Sequence, residues 1–332
     1  MTDRSACPGQ AGFALPSVLF VVAMVTLVFL VAVEALTSLA EETRGAKHAV
    51  LFQAQALSLE ADIAYVAATH PLGPAAVMRS SEPDAGALLA IDGSAYAAGA
   101  DLTVATQDEA GLINIDQLPA SAIPRLFAAL GVSPDRRAMM TDRLSDYMYA
   151  GQLKRPQGAD ADDYRFAGLP PPPGGPLLRR DQLLGVMGWS DSVGRDAWRA
   201  FADNVTVDPT SAASNVNTAT PAMLEVAYGL TPAQAQAVIT RRAAAPFTAL
   251  SEMGRWVGLG LPGDAERVYT MPSGRFAVKI EDPAAGFAYR SRILLSPADD
   301  GRPFWIAEPA ISRLTVAERA TPPVSAPPFP EP

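Results

Sequence analysis

Cysteine and histidine are nearly missing from this chain of 332 residues. Cys7 is the single cysteine, and His48 and His70 are the two histidines. One thiol cannot form an intramolecular disulfide, and if Cys7 is lost with a cleaved leader, thiolate metal sites and cysteine catalysis are excluded as well. The two histidines lie on or just after one long helical segment, far from any partner constellation, and read as surface residues. No nucleophile elbow, phosphate loop, HExxH helix or zinc spacing occurs, so the sequence reads as a non-enzyme. Positive charge is short as well: 26 Lys and Arg face 35 Asp and Glu, for a net charge of −9. That balance argues against general nucleic-acid binding.

What the chain does have is an almost unbroken apolar run from Phe13 to Val33. It is roughly 21 residues long, ~31 Å of helix, enough to cross a bilayer core. A cleaved secretory signal places its small-residue site after the apolar stretch. Here the small residue, Gly12, precedes it. A cut between Gly12 and Phe13 removes a short polar leader and leaves the apolar helix in place. The charges flanking the run, Arg4 and Asp3 before it and Glu34, Glu41, Glu42, Arg44 and Lys47 after it, give only a weak orientation signal. Helical patterning continues to about Ala68, with Gly45 as its one weak point.

Beyond the helix, 71–93 is rich in Gly, Pro, Ser and Ala and reads as loop. Strand-like segments follow at 100–106 and 111–115. Strand signals then stop until Phe276–Ile280, Phe287–Leu295 and Phe304–Ala307. The middle segment of these three alternates apolar and polar, as an antiparallel sheet with one buried face requires. Strands at both ends with helices between them predict an α+β domain carrying a helical insertion. The end of the chain is rich in proline and reads as disordered.

Within the insertion a degenerate repeat emerges. Asn114-Ile115-Asp116 leads into Leu126 to Pro134, and Asn215-Val216-Asn217-Thr218 leads into Leu224 to Pro232. Each copy reads as an Asn-capped helix, a glycine turn at Gly131 or Gly229, and Ser133-Pro134 or Thr231-Pro232 opening a second helix. The second copy, with Arg241, Arg242 and Arg255 nearby, resembles a helix-hairpin-helix module. Such modules hold a DNA backbone when glycine-rich turns and basic side chains face phosphate. Here one glycine and nearby Glu225 and Glu252 favour protein contacts.

Gly12-Phe13-Ala14-Leu15 followed by the apolar run resembles a type IV prepilin signal. Together with Asp108-Glu109-Ala110-Gly111-Leu112-Ile113-Asn114-Ile115-Asp116, the Asn215 to Ala219 segment and Arg242 to Phe247, the resemblance is to the general secretion pathway protein K family. Members of that family are minor pseudopilins of type II secretion systems. It covers the chain from Gly12 to about Trp305. The resemblance implies a pilin-like long N-terminal transmembrane helix packed on a small antiparallel sheet, with a large inserted all-helical (helix-hairpin-helix or SAM-like) domain. The expected boundaries are 1–12 for the leader, 13–35 for the span, 36–116 and 271–316 for the pilin-like parts, 117–270 for the insertion and 317–332 for the tail.

The family further implies cleavage after Gly12 by a prepilin peptidase and N-methylation of Phe13. It implies residence in the inner membrane with the globular part in the periplasm. Its partners would be the minor pseudopilins corresponding to proteins I and J, and the major pseudopilin G, with no nucleic acid. The fifth mature position, normally Glu in pilins, is Ser17. A carboxylate there would need a positive partner inside the bilayer. A subunit without it suits the first place in a fibre. The family's acidic loop can bind calcium, so Asp142, Asp146, Asp160, Asp162 and Asp163 are candidate ligands of a structural ion. After Asp146, Tyr147 to Gln152 departs from the family's pattern, and a solvated polar loop is the alternative reading. A membrane-anchored helix-hairpin-helix DNA-binding protein and a minor pilin of a type IV pilus are the alternative functions.

Overall fold

The computed structural model describes residues 14–82, 85–99, 101–149, 153–261, 269–296, 298–299, 301–320, 327 and 329–330. Gly12 and Phe13 lie outside the described residues. The chain divides into two compact units, 1–55 and 56–332. Helix α1 is a continuous 56-residue element, Ala14–Thr69. Pro16 sits in its first turn, where the missing N–H would have no helical partner in any case. The helix continues through Gly45 without a break. Its first part is apolar and exposed, and it is long and apolar enough to cross a membrane. The hydroxyls of Thr26, Thr37 and Thr43 donate to the carbonyls of Val22, Glu34 and Leu39 at 2.7–2.8 Å. Polar side chains on an apolar helix are thus satisfied by their own backbone.

In the second unit, Ala56, Glu60, Ile63, Ala64 and Ala67 of α1 are buried. Their spacing places them on one helical stripe. A small hairpin of β1 (Ala76–Met78) and β2 (Ala87–Ala90) follows, in a region whose composition reads as loop. Strands of only three and four residues, Ala-Val-Met and Ala-Leu-Leu-Ala, are too short to register as alternation, and tertiary pairing decides here. Next come β3 (Asp92–Ala98) and β4 (Leu102–Asp108), then the two-residue β5 (Ile113–Asn114).

The helical run contains α2 (Ile123–Ala129), α3 (Pro134–Met148), α4 (Ala161–Phe166), α5 (Trp189–Ser192) and α6 (Arg195–Phe201). The short β6 (Val205–Thr206) pairs in parallel with β5. Helices α7 (Pro221–Tyr228), α8 (Pro232–Ala244) and α9 (Leu250–Val257) complete it. One contiguous apolar cluster from Ile113 to Met253, including Phe127, Trp189, Leu224 and Phe247, joins β5 to this run. Three strands close the fold: β7 (Arg275–Asp282), β8 (Phe287–Leu295) and β9 (Phe304–Arg313), followed by α10 (Val316–Ala320).

The main sheet is antiparallel with order β3-β4-β7-β8-β9. Adjacent strands β4 and β7 are far apart in sequence, and their last rung pairs Asp108 with Phe276. The helical run therefore leaves and re-enters the sheet at neighbouring positions. Strand β9 extends well past Ala307, where the sequence signal ends. Opposite Ser291, between the rungs Arg292–Ala307 and Arg290–Ala310, it carries two residues, Glu308 and Pro309. Glu308 has φ +53°. This bulge on an edge strand explains how the proline is tolerated and why the pattern fades there.

The expectation of a disordered tail is corrected at two places. Residues Val316–Ala320 form α10. Farther on, Ala97 donates to the Pro327 carbonyl at 2.8 Å and Phe329 donates to the Ala97 carbonyl at 2.7 Å. The Tyr96 and Phe329 rings meet edge to face at 6.2 Å. Proline richness removes donors but not acceptors, and an exposed sheet edge offers both.

Candidate functional site

The segment Asp108 to Asp116 joins the sheet to the insertion, and each polar residue in it has a structural task. Asp108 is fully buried. Its carboxylate accepts from Ala110 N (3.2 Å), Ser273 N (3.0 Å) and Ser273 Oγ (2.8 Å) on one oxygen. The other oxygen accepts from Asn215 Nδ2 (3.1 Å) and Thr218 Oγ1 (2.8 Å). Both ends of the insertion and its second Asn motif are thereby tied to one side chain. Burial pushes the Asp108 carboxyl above its usual range, against the opposing pull of the Ser273, Thr218 and Asn215 donors. Gly111 has no room for a side chain, because a Cβ there would run into the Thr218 backbone.

Glu109 is buried and meets Arg292 of β8 in a bidentate pair at 2.5 and 2.6 Å, with Thr206 Oγ1 at 3.1 Å. Asn114 receives Asp208 N and donates to the Asp208 and Ser211 carbonyls. Asp116 receives Leu177 N at 2.9 Å. Between insertion and sheet lies a cavity of about 220 Å³. Around it Asp203 receives Arg180, Lys279 and Arg290, and Glu308 receives Arg292. Arg275 pairs with Asp208. The sheet face under the insertion carries Ala105, Gln107, Ala277, Lys279, Arg290 and Arg292, and ion pairs join it to Asp203 and Glu109.

The two helical hairpins are present, but their caps differ from the reading of the sequence. Asn114 caps a single 3-10 turn, Ile115–Gln117, and α2 starts later without a side-chain cap. Asn215 and Asn217 cap no helix. Asn217 bridges Phe247 N, the Phe247 carbonyl and the Thr270 carbonyl, while α7 is capped by Thr220. An asparagine before a helix looks the same whether its amide bonds locally or across the fold, so local pattern could not separate the two. Thr231 forms a capping box with Gln234 on α8. Ser133 stands at the N-cap of α3, but its hydroxyl accepts nothing from that helix. Gly131 and Gly229 adopt φ +77° and +72°, as the turns between paired helices require. Arg125 of the first hairpin donates to the Val226 and Ala227 carbonyls of the second, joining them.

Groups that a phosphate reader would use are engaged internally. Thr231 and Gln234 cover the start of α8. Arg242 is buried and donates to the Val216 and Ala219 carbonyls. Arg241 donates to the Ala245 carbonyl and to Glu252, with its guanidinium 5.4 Å from the Phe247 ring centre and 5.7 Å from that of Trp256.

Candidate metal ligands fall into two groups. Asp142 and Asp146 project from α3 and receive backbone N–H groups of Gln157 and Arg155. Asp160 and Asp163 form a capping box on α4, and Asp162 pairs with Arg165. Among the described residues no group of three or more acidic, histidine or cysteine side chains is placed to hold a metal. Ser17 lies exposed in the first turns of α1. A site that sequence reasoning missed is Glu60, buried in α1 and receiving the Tyr289 hydroxyl at 2.9 Å. Burial, reinforced by the Glu60 contact, pushes that phenol up to about 12.

Comparison with known proteins adds the following. Residues 100–199 match the family model described as Type II secretion system (T2SS), protein K. Among solved structures the chain is similar to one in "The Crystal Structure of the GspK-GspI-GspJ complex from enterotoxigenic Escherichia coli Type 2 Secretion System", with TM-score 0.50 and 14% identity. That similarity covers 83% of this chain and 98% of the other, and at such identity it shows the fold. No curated protein matches the sequence.

Proposed function

We propose that this chain, of which residues 100–199 match the type II secretion system protein K family model, works as a minor pseudopilin that starts the pseudopilus and caps its growth. The observation that carries the reading is the coupling of two features in one chain. Helix α1 runs unbroken from an apolar span into a buried face between Ala56 and Ala67, and a helical insertion stands on a pilin-like sheet. The first feature fits a subunit held in the inner membrane with its globular part in the periplasm. The second fits a subunit whose bulk prevents another from stacking above it.

The assembly step follows from Ser17. A carboxylate at that position would be costly in hydrocarbon until it met a positive partner, such as the terminal ammonium of a neighbour. Serine has no such need, so this subunit enters the membrane assembly without a predecessor. The partners proposed are the pseudopilins corresponding to proteins I and J, with the major pseudopilin G adding below. The complex named in the similar structure supports the choice of I and J. Processing between Gly12 and Phe13 by the prepilin peptidase, with N-methylation of Phe13, completes the proposal.

The test is the mature N-terminus, read by mass spectrometry of membrane fractions. N-methylated Phe13 is expected; an intact Met1 or a cut after Val33 overturns the reading. Gly12→Ala is expected to be processed far better than Gly12→Glu, because the peptidase needs a small residue there. Ser17→Glu is expected to be tolerated or mildly disruptive when assayed by secretion.

A further inference from the structure

The loop 153–160 connects two acidic stretches, and its donors point at the carboxylates. Asp146 Oδ2 accepts from the Arg155 N–H at 3.1 Å, and Asp146 Oδ1 accepts from the Arg155 guanidinium at 2.7 Å. Asp142 Oδ2 accepts from the Gln157 N–H at 3.1 Å. Gly158 lies so close to Asp146 that a Cβ there would collide with the carboxylate. At the far end, the Lys154 ammonium sits 2.8 Å from Asp163 Oδ2 and 3.5 Å from Asp160 Oδ2. Asp160 Oδ1 is taken by the amides of Asp162 and Asp163, and the Asp160 N–H donates to Asp163 at 2.9 Å.

A calcium loop is arranged the other way round. It turns carboxylate and carbonyl oxygens inward onto a cation, six to eight of them. Here Asp142, Asp146, Asp160 and Asp163 are occupied by N–H donors and two cationic side chains. A divalent ion placed among them would have to displace Lys154 or Arg155 and break backbone hydrogen bonds. Only a neighbouring cation of the chain's own satisfies carboxylates in that geometry without such disruption.

We infer that loop 153–160 of this protein holds its shape without a metal, with Lys154 and Arg155 serving as built-in counter-cations for Asp163 and Asp146. Arg155 is the stronger of the two, since Asp146 is nearly buried while Lys154 is about half exposed. The loop would then be indifferent to the divalent ions of its surroundings.

The test uses the full chain in detergent, melted in EDTA and in millimolar calcium, and titrated with terbium, whose emission the nearby Tyr147 and Tyr164 would sensitise. Equal melting temperatures and no saturable terbium emission are expected. A melting temperature that rises with calcium and falls with EDTA overturns the inference, as does saturable terbium emission quenched by calcium. The same melts on Arg155→Ala test the role of the side chain. Removal of the guanidinium leaves Asp146 facing Asp142 without a counter-charge, so this variant is expected to melt lower and to gain a calcium-dependent rise. Arg155→Lys is expected to restore indifference to calcium. A folded Arg155→Ala that melts like the natural chain removes the counter-cation role. Should Arg155→Ala fail to fold, the calcium response of the natural chain alone decides.

Discussion

Asp108 concentrates more of the molecule's connectivity than any other single side chain described. Its two oxygens receive donors from residues 110, 215, 218 and 273. Asp108→Ala leaves these donors buried without a partner, and we expect a loss of about 3 kcal/mol or more in chemical denaturation. Asp108→Asn keeps the size and separates charge from shape. Because burial raises the folded carboxyl above its usual value of 3.8, the folded state holds that proton more tightly than the unfolded chain. Stability from this group is greatest in acid and falls as pH rises from the usual value through the raised one. The natural protein should therefore lose stability relative to Asp108→Asn across that window, and denaturation curves of both at several pH values measure the difference. Glu109 offers a second test. Arg292→Ala strands a buried carboxylate, with an expected cost of about 3–5 kcal/mol in the same assay.

At the scale of elements, the strongest periodicities were legible. The apolar run and its continuation gave α1 because 3.6-residue spacing and the lack of an interior proline leave few alternatives. Strand β8 was legible because its buried residues alternate. The hairpin β1–β2 was not, since strands of three and four residues are too short to show a period and the pairing is imposed by the rest of the fold. Of the candidate site, Asp108 to Asp116 was legible as a junction. That Asn215 serves it from 107 residues away, and that Asn217 ties Phe247 to Thr270, was not, because a capping asparagine and a bridging one share a local sequence. The tail shows the same limit, as its composition conceals a partner edge at Ala97. Removal of residues 321–332 should unpair the Ala97 N–H and carbonyl and uncover the Tyr96 ring. Open edges recruit other edges, so the truncated protein is expected to self-associate, which sedimentation in detergent would detect.

For the whole molecule, the sheet and the insertion have separate interiors. The apolar cluster from Ile113 to Met253 belongs to the insertion alone. Val104, Phe276, Val278, Ile280, Tyr289 and Ile293 fill the sheet's buried face. Since Gln107 and Ala277 are also paired rungs, a short hairpin turn could replace residues 108–276, Asp108 included, because all its donors lie in the removed segment. The exposed sheet face would be largely polar, and the shortened chain is expected to keep its β-sheet circular dichroism and anchor. If the insertion caps growth, pseudopili made with this variant should lengthen under electron microscopy; unchanged length would separate the insertion from that role.

The neighbouring exits of the insertion also govern how the subunit bears mechanical load. A pull carried by residues 56–69 reaches the strands through contacts such as Glu60–Tyr289. Tension in the sheet can then pass from β4 straight across the ladder to β7. The excursion between Asp108 and Ser273 is a side branch of that path. The head can be dragged along with the sheet while its own helices remain unstretched.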